Sequence, residues 1–126
     1  MTRMYEEAAV NVLFGKTLVG VEKVDNDLII FRTSDGEEYR MYHSQDCCES
    51  VAIEDICGSL DDLVGSPLLM AEEVSNSENP GPLDELDDSY TWTFFKFATV
   101  RGSVTIRWYG ASNGYYSERV DFMRVE

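Results

Sequence analysis

Between Met4 and Phe14 the apolar side chains fall at positions 4, 5, 8, 9, 12, 13 and 14, the spacing of a helical stripe, and Gly15 follows as a C-cap. This spacing predicts an N-terminal helix. The next three runs read as strands. Leu18–Val24 and Leu28–Arg32 flank Asp25-Asn26-Asp27, and Glu37–His43 follows the turn signal Ser34-Asp35-Gly36, which predicts a three-stranded antiparallel meander. The pattern then changes over Ser44–Gly65. That stretch holds Cys47, Cys48 and Cys57, the acidic–apolar mixture Val51-Ala52-Ile53-Glu54-Asp55-Ile56, and Ser59-Leu60-Asp61-Asp62-Leu63. Ser59 with Asp62 resembles a capping pair for a helix of one or two turns ended by Gly65. Pro67–Val74 is expected as an edge strand, because a proline without an N–H fits at its start. Ser75–Asp88 reads as a mobile acidic loop. Tyr90–Val100, Val104–Tyr109 and Tyr115–Val125 are the most strand-like runs, and Asn113-Gly114 between the last two is the strongest hairpin signal. The expected class is α+β, one domain over 1–126: an N-terminal helix with a twisted antiparallel sheet made of the meander and a C-terminal three-stranded hairpin unit.

The register of those last strands follows from keeping apolar side chains together. With Arg101-Gly102 as a two-residue turn, Phe97 faces Ile106, Phe95 faces Trp108 and Thr99 faces Val104. A Ser112-Asn113-Gly114 loop then pairs Ile106 with Val120 and Val104 with Phe122. The opposite face carries Lys96, Arg107 and Arg119 in one row, bordered by Trp92, Phe94, Tyr109 and Thr105. Like charges directly opposite each other cost up to about 1 kcal/mol per pair, so the row requires a counter-charge. Asp121 or Glu118, or another of the 24 acidic residues, supplies it if the face is an ordinary solvated one. The alternative is an anion site, in which arginine forks grip phosphate and aromatic faces take a base. Asn113 and Tyr115 belong to a turn with aromatic flanks that a rigid hairpin could present to a ligand.

Charge narrows the partners. Ten Lys and Arg stand against 24 Asp and Glu, a net charge of −14, which disfavours a protein that coats DNA or RNA. A small anion in a local cationic pocket, or a basic protein, remains compatible. The longest apolar run, Pro67-Leu68-Leu69-Met70-Ala71, is too short to span a membrane, and the acidic start lacks an export signal, so a soluble cytosolic protein is expected. Three cysteines, two of them adjacent, suggest free thiols in a reducing compartment. His43 with Cys47 and Cys48 is a poor zinc set, since thiolates that converge on zinc are usually two residues apart. A Cys–His catalytic pair or a weak cation site at Asp46 and Glu49 is conceivable on chemistry alone. No phosphate-binding glycine loop or hydrolase motif occurs.

Two sets of strings go beyond composition. The first is His43–Cys57 followed by Gly65-Ser66-Pro67 and Met70-Ala71-Glu72-Glu73. The second is Tyr90–Thr99 followed by Thr105-Ile106-Arg107-Trp108-Tyr109-Gly110 and Ser112–Ser117. Together they cover about two-thirds of the chain and resemble a small phage and prophage domain family, which includes the first type of Thoeris anti-defence protein. The resemblance implies a sponge that sequesters glycocyclic ADP-ribose, the signal of bacterial TIR proteins, in the host cytoplasm without cleaving it. It implies pockets shared between protomers of a homo-oligomer, a dimer or larger and as large as a hexamer. It also implies capture of cyclic di- or trinucleotides of CBASS immunity at separate sites. No catalytic residue, metal, cofactor, nucleic acid or membrane enters that function. Arg107 lies within a matching string; Arg119, Lys96, Trp92, Tyr109, Asn113 and Tyr115 are assigned to the ligand on chemistry, the cations for phosphate, Trp92 or Tyr109 for the purine and Asn113 for a polar edge. The rival reading is an acidic phage inhibitor that docks on a basic host defence protein.

Overall fold

The computed structural model describes residues 4–76 and 80–125. Residues 1–3, which begin the acidic N-terminal stretch, and 77–79, inside the expected acidic loop, lie outside the described residues.

Strands make up just over half of the described chain. In order come β1 (Tyr5–Glu7), a 3₁₀ turn (Val10–Leu13), β2 (Leu18–Val24), β3 (Leu28–Thr33), β4 (Glu38–Tyr42), β5 (Ser50–Cys57), a second 3₁₀ turn (Leu60–Leu63), β6 (Met70–Asn76), β7 (Ser89–Thr99), β8 (Gly102–Ser112) and β9 (Asp121–Val125). The strands form two antiparallel sheets, ordered β1-β9-β4-β3-β2 and β5-β8-β7-β6. Apolar faces of both meet in one core, where Phe31 of β3 lies 5.5 Å from Phe97 of β7 and 5.9 Å from Phe122 of β9, ring centre to ring centre. The Trp108 indole N–H points at Met41 Sδ, 3.3 Å away, across the same layer. The architecture is all-β, not α+β.

The expected N-terminal helix is therefore corrected. Tyr5, Glu6 and Glu7 pair with Val125, Arg124 and Met123, completing an edge that β9 would otherwise leave open. Val10 and Leu13 are buried by a single 3₁₀ turn, whereas Met4, Tyr5, Val12 and Phe14 of the expected stripe are exposed. An isolated helix of this length is marginal in water, so the ladder and the core decide its fate. The meander is present as β2, β3 and β4. Around Ser59 only a 3₁₀ turn forms, and the Ser59 side chain makes no cap.

β5 was not legible as a strand. Val51 and Ile53 face the core, but the register shifts between Ile53 and Asp55, so a bulge breaks the alternation just where Glu54 and Asp55 turn outward. The C-terminal three-stranded unit is also corrected. β8 already has β7 on one side and β5 on the other, which leaves no edge for a third hairpin strand. Gly114 keeps a left-handed φ of 89° and Asn113 Oδ1 accepts the Tyr115 N–H, so the local turn forms. The chain then crosses to the other sheet, where Phe122 pairs with Met41. Between β7 and β8 the turn is Val100-Arg101, with Thr99 opposite Gly102 and Phe95 opposite Ile106. This differs by two residues from the expected register, and a shift of two preserves which side chains face the core.

Candidate functional site

The outer face of the second sheet collects four of the expected ligand residues. Tyr109 stands opposite Trp92, Arg107 opposite Phe94, and Thr105 opposite Lys96, whose other neighbour is Glu72. Strand alternation puts these side chains on the side away from the core. The Arg107 guanidinium carbon sits 5.3 Å from the centre of the Trp92 ring, and Trp92 and Tyr109 pack at 4.7 Å. A cation over an indole face is an attractive arrangement in its own right. Arg107 is also paired: its Nε donates to Glu54 Oε2 at 2.6 Å, a second nitrogen reaches the same carboxylate, and Asp55 lies 3.9 Å away. The bulge in β5 delivers both carboxylates to it.

Residues 80–88 lie across this face. The Trp92 indole N–H donates to the Gly81 carbonyl at 2.7 Å, the Leu83 N–H donates to the Tyr109 hydroxyl at 3.1 Å, and that hydroxyl donates to Asp87 at 2.5 Å. Trp92 is thereby 1% exposed although it points outward. Burial, reinforced by the Asp87 carboxylate, pushes the Tyr109 phenol up to about 12. The expected acidic loop is thus pinned at this end to its own sheet, and Ser75 and Asn76 at its other end belong to β6. A base can stack on Trp92 or Tyr109 only when residues 81–87 give way.

Arg119 does not join this row. It lies in the crossover between β8 and β9, where its guanidinium pairs with Glu7 of β1. The expected single row of Lys96, Arg107 and Arg119 is corrected for the topological reason already given: β9 is in the other sheet. Asn113 and Tyr115 share the crossover with Arg119; the Asn113 side chain is spent on its turn, and Tyr115 is 84% exposed with its ring edge-on to Tyr116.

Two openings meet at Arg119. One, of about 610 Å³, is bordered by Glu7, Ala8, Ala9, Asn11 and Ala71; the other, of about 330 Å³, by Ser75, Ser89, Thr93, Tyr116 and Ser117; Glu73 and Arg119 border both. Partial enclosure pushes the Glu73 carboxyl up, and Arg119 opposes that shift.

The base of this region is held by a buried pair. His43 Nδ1 is 2.6 Å from the Arg119 carbonyl, and Nε2 is 2.8 Å from Glu49 Oε2. Glu49 also accepts the backbone N–H groups of Asp46 and Cys47. Burial alone would raise its carboxyl, but the Cys47 N–H and His43 bring it down to about 2. Both ring nitrogens of His43 are thus committed to structure, which leaves neither for a metal or for a cysteine. Among the described residues no group of three or more His, Cys, Asp or Glu could hold a metal ion. The expected set of three free thiols is corrected: Cys47 and Cys48 are bonded to each other, and Cys57 is free and exposed.

Sequence reasoning missed Glu54, Asp87, Glu73 and Thr93 as parts of these surfaces. One signal was available. Reading alternate residues of Ser89–Phe97 gives Ser, Thr, Thr, Phe, Phe, so the inward face of β7 is polar for half its length.

Among the described residues no helix is long and apolar enough to cross a membrane. A family model described as a domain of unknown function (DUF7448) matches residues 11–122. No curated protein and no solved structure matches the chain.

Proposed function

The chain belongs to the DUF7448 family, whose model spans residues 11–122, and we propose that it is a phage immune-evasion sponge that captures cyclic nucleotide signals without cleaving them. The observation that carries this reading is the Arg107 guanidinium stacked over Trp92 on a face that also bears Tyr109 and Lys96. The strings around Arg107 that resemble the Thoeris anti-defence proteins support it independently. Glycocyclic ADP-ribose combines a pyrophosphate with a purine, and a cation–aromatic face matches both parts. Capture requires only affinity. Arg107 and Lys96 take phosphate, Trp92 or Tyr109 takes the purine, and Arg119 with Asn113 and Tyr115 takes the part of the ligand, or of a neighbouring protomer, that reaches the crossover. Each guanidinium is currently held by a carboxylate, Glu54 or Glu7, which the ligand's phosphate displaces. The protein acts in the host cytoplasm, as an oligomer of two to six protomers whose pockets are completed between neighbours. Cyclic di- or trinucleotides of CBASS are further ligands of the same chemistry.

One observation favours a second reading, the acidic inhibitor. Leu83 and Leu86 stand 60% and 86% exposed among Asp84, Glu85 and Asp88, a surface suited to a basic, partly apolar partner. Native mass spectrometry separates the two. The protein is measured alone and with glycocyclic ADP-ribose isomers and cyclic di- and trinucleotides, and bound ligand is recovered by heat denaturation. Ligand released unaltered from an oligomer supports the sponge. Altered ligand means an enzyme, and no binding at all moves the case to the inhibitor.

A further inference from the structure

The inner face of the second sheet changes character along its length. Phe97, Phe95 and Thr93 of β7 pair with Ala71, Glu73 and Ser75 of β6, so those β6 side chains point to the core side. Phe95 and Phe97 are fully buried, whereas the next positions on the same face are Thr93, Thr91 and Ser89. What covers the polar end is the crossover. The Glu118 carboxylate accepts the Thr91 hydroxyl at 2.8 Å and the Ser112 hydroxyl at 2.5 Å. The Glu118 carbonyl lies so close over Gly110 that a Cβ there would come within 2.8 Å of it. A recess of about 330 Å³ is left between this roof and β6, with Ser75, Ser89, Thr93, Glu73 and Ser117 in its walls and Arg119 at its border with the larger opening.

We propose that this recess binds a ribose phosphate group, with the sugar hydroxyls on Ser75, Thr93 and Glu73 and the phosphate on Arg119. Serine and threonine hydroxyls donate or accept as a ligand requires, so they complement a polyol without fixing its orientation. A carboxylate accepts from the hydroxyls of a ribose, the role an acidic residue plays in dinucleotide sites. Arg119 is 62% exposed at its side chain and pairs with Glu7 through one nitrogen, leaving fork positions for a phosphate. The volume is at the lower end of the roughly 300–1,000 Å³ of small-molecule sites, room for one sugar phosphate. The rest of a larger ligand continues into the adjoining opening, where Ala8, Ala9 and Ala71 form an apolar wall beside Asn11. The recess opens on the opposite side of the sheet from Arg107 and Trp92, so it is a second site, and the inference rests on the capture reading for the identity of that larger ligand.

The test is a titration of ribose 5-phosphate into the isotope-labelled full chain, followed by NMR, with ribose and inorganic phosphate as separate arms. Saturable shifts are expected at residues 73–75, 89–93 and 116–119, with inorganic phosphate binding about tenfold more weakly or less. Arg119→Gln should weaken binding about tenfold or more, and Ser75→Ala, on an exposed edge strand where folding is not at stake, by about threefold to tenfold. Arg101→Gln, at the β7–β8 turn, should change nothing. The proposal is overturned if no saturable shift occurs in these segments, if phosphate alone reproduces the response, or if Ser75→Ala and Arg119→Gln bind as the parent does. Glycocyclic ADP-ribose provides the separating arm. If it binds while ribose 5-phosphate leaves the recess unshifted, capture stands and the recess falls. If ribose 5-phosphate fills the recess while no cyclic signal binds, the recess stands and capture falls.

Discussion

At the scale of the residue, charge pairing rather than charge number sets what Arg107 can do. Glu54 occupies two of its nitrogens, so an incoming phosphate competes with a carboxylate already in place. Glu54→Gln removes the competitor's charge and keeps its size. If Arg107 grips the signal's phosphate, Glu54→Gln should tighten binding by about threefold to tenfold in calorimetry, and Arg107→Ala should abolish it. Unchanged affinity in both variants removes Arg107 from the ligand. Gly110 makes a different point. A methyl group there meets the Glu118 carbonyl and Cβ at 2.8 and 2.9 Å and Val51 at 3.1 Å, two of these contacts being with atoms that do not swing away. Gly110→Ala should cost about 1–3 kcal/mol in urea denaturation, because the crossover must lift off the sheet. A cost near zero means that the roof is loosely held. Arg107 was legible in the sequence as a cation among aromatics; Glu54 was not, because its contact spans 53 positions and passes through a bulge.

Elements add what single residues do not carry. Residues 81–87 are a strap across the outer face, held by the Trp92 indole and the Tyr109 hydroxyl. Asp87→Asn removes the charge that helps to raise the Tyr109 phenol. Its tyrosinate absorbance should then titrate below the parent's value of about 12, moving toward the ordinary value of about 10 while burial keeps it from arriving there. Red-shifted emission from Trp92, which is 1% exposed in the intact protein, should accompany the change if the strap loosens. A phenol that titrates as before would show that Asp87 is not what holds the strap. The strand runs themselves were mostly readable from period-2 alternation, because that pattern reports one buried face. β1 and β5 were not: the first is too short to show a period, and the second carries a bulge.

For the whole molecule, a buried pair adds a polar tie between the two sheets to the core they share. His43 links the end of β4 to the crossover, and Glu49 links His43 to the start of β5. Glu49 ionises near 2 in the folded protein against about 4.3 in an unfolded chain, so its contribution is fully present above about pH 5 and is lost as pH falls through about 4 toward 2. Acid unfolding followed by near-ultraviolet dichroism should therefore show a transition in that window, and Glu49→Gln should flatten it. A parent protein whose urea midpoint is the same at pH 5 and pH 2.5 would contradict the role of this pair.

Alternation and turn chemistry in the chain itself determined the meander, the long β7–β8 hairpin and the inward set around Phe95, Phe97, Ile106 and Trp108, since these depend on neighbours a few residues apart. Which sheet β9 enters, whether Tyr5–Glu7 become a strand, and which carboxylate meets each arginine were decided by tertiary structure. The reason is the same in each case. Those outcomes depend on which backbone edges are already occupied, and occupancy of an edge is a property of the assembled sheets that no local window of sequence contains.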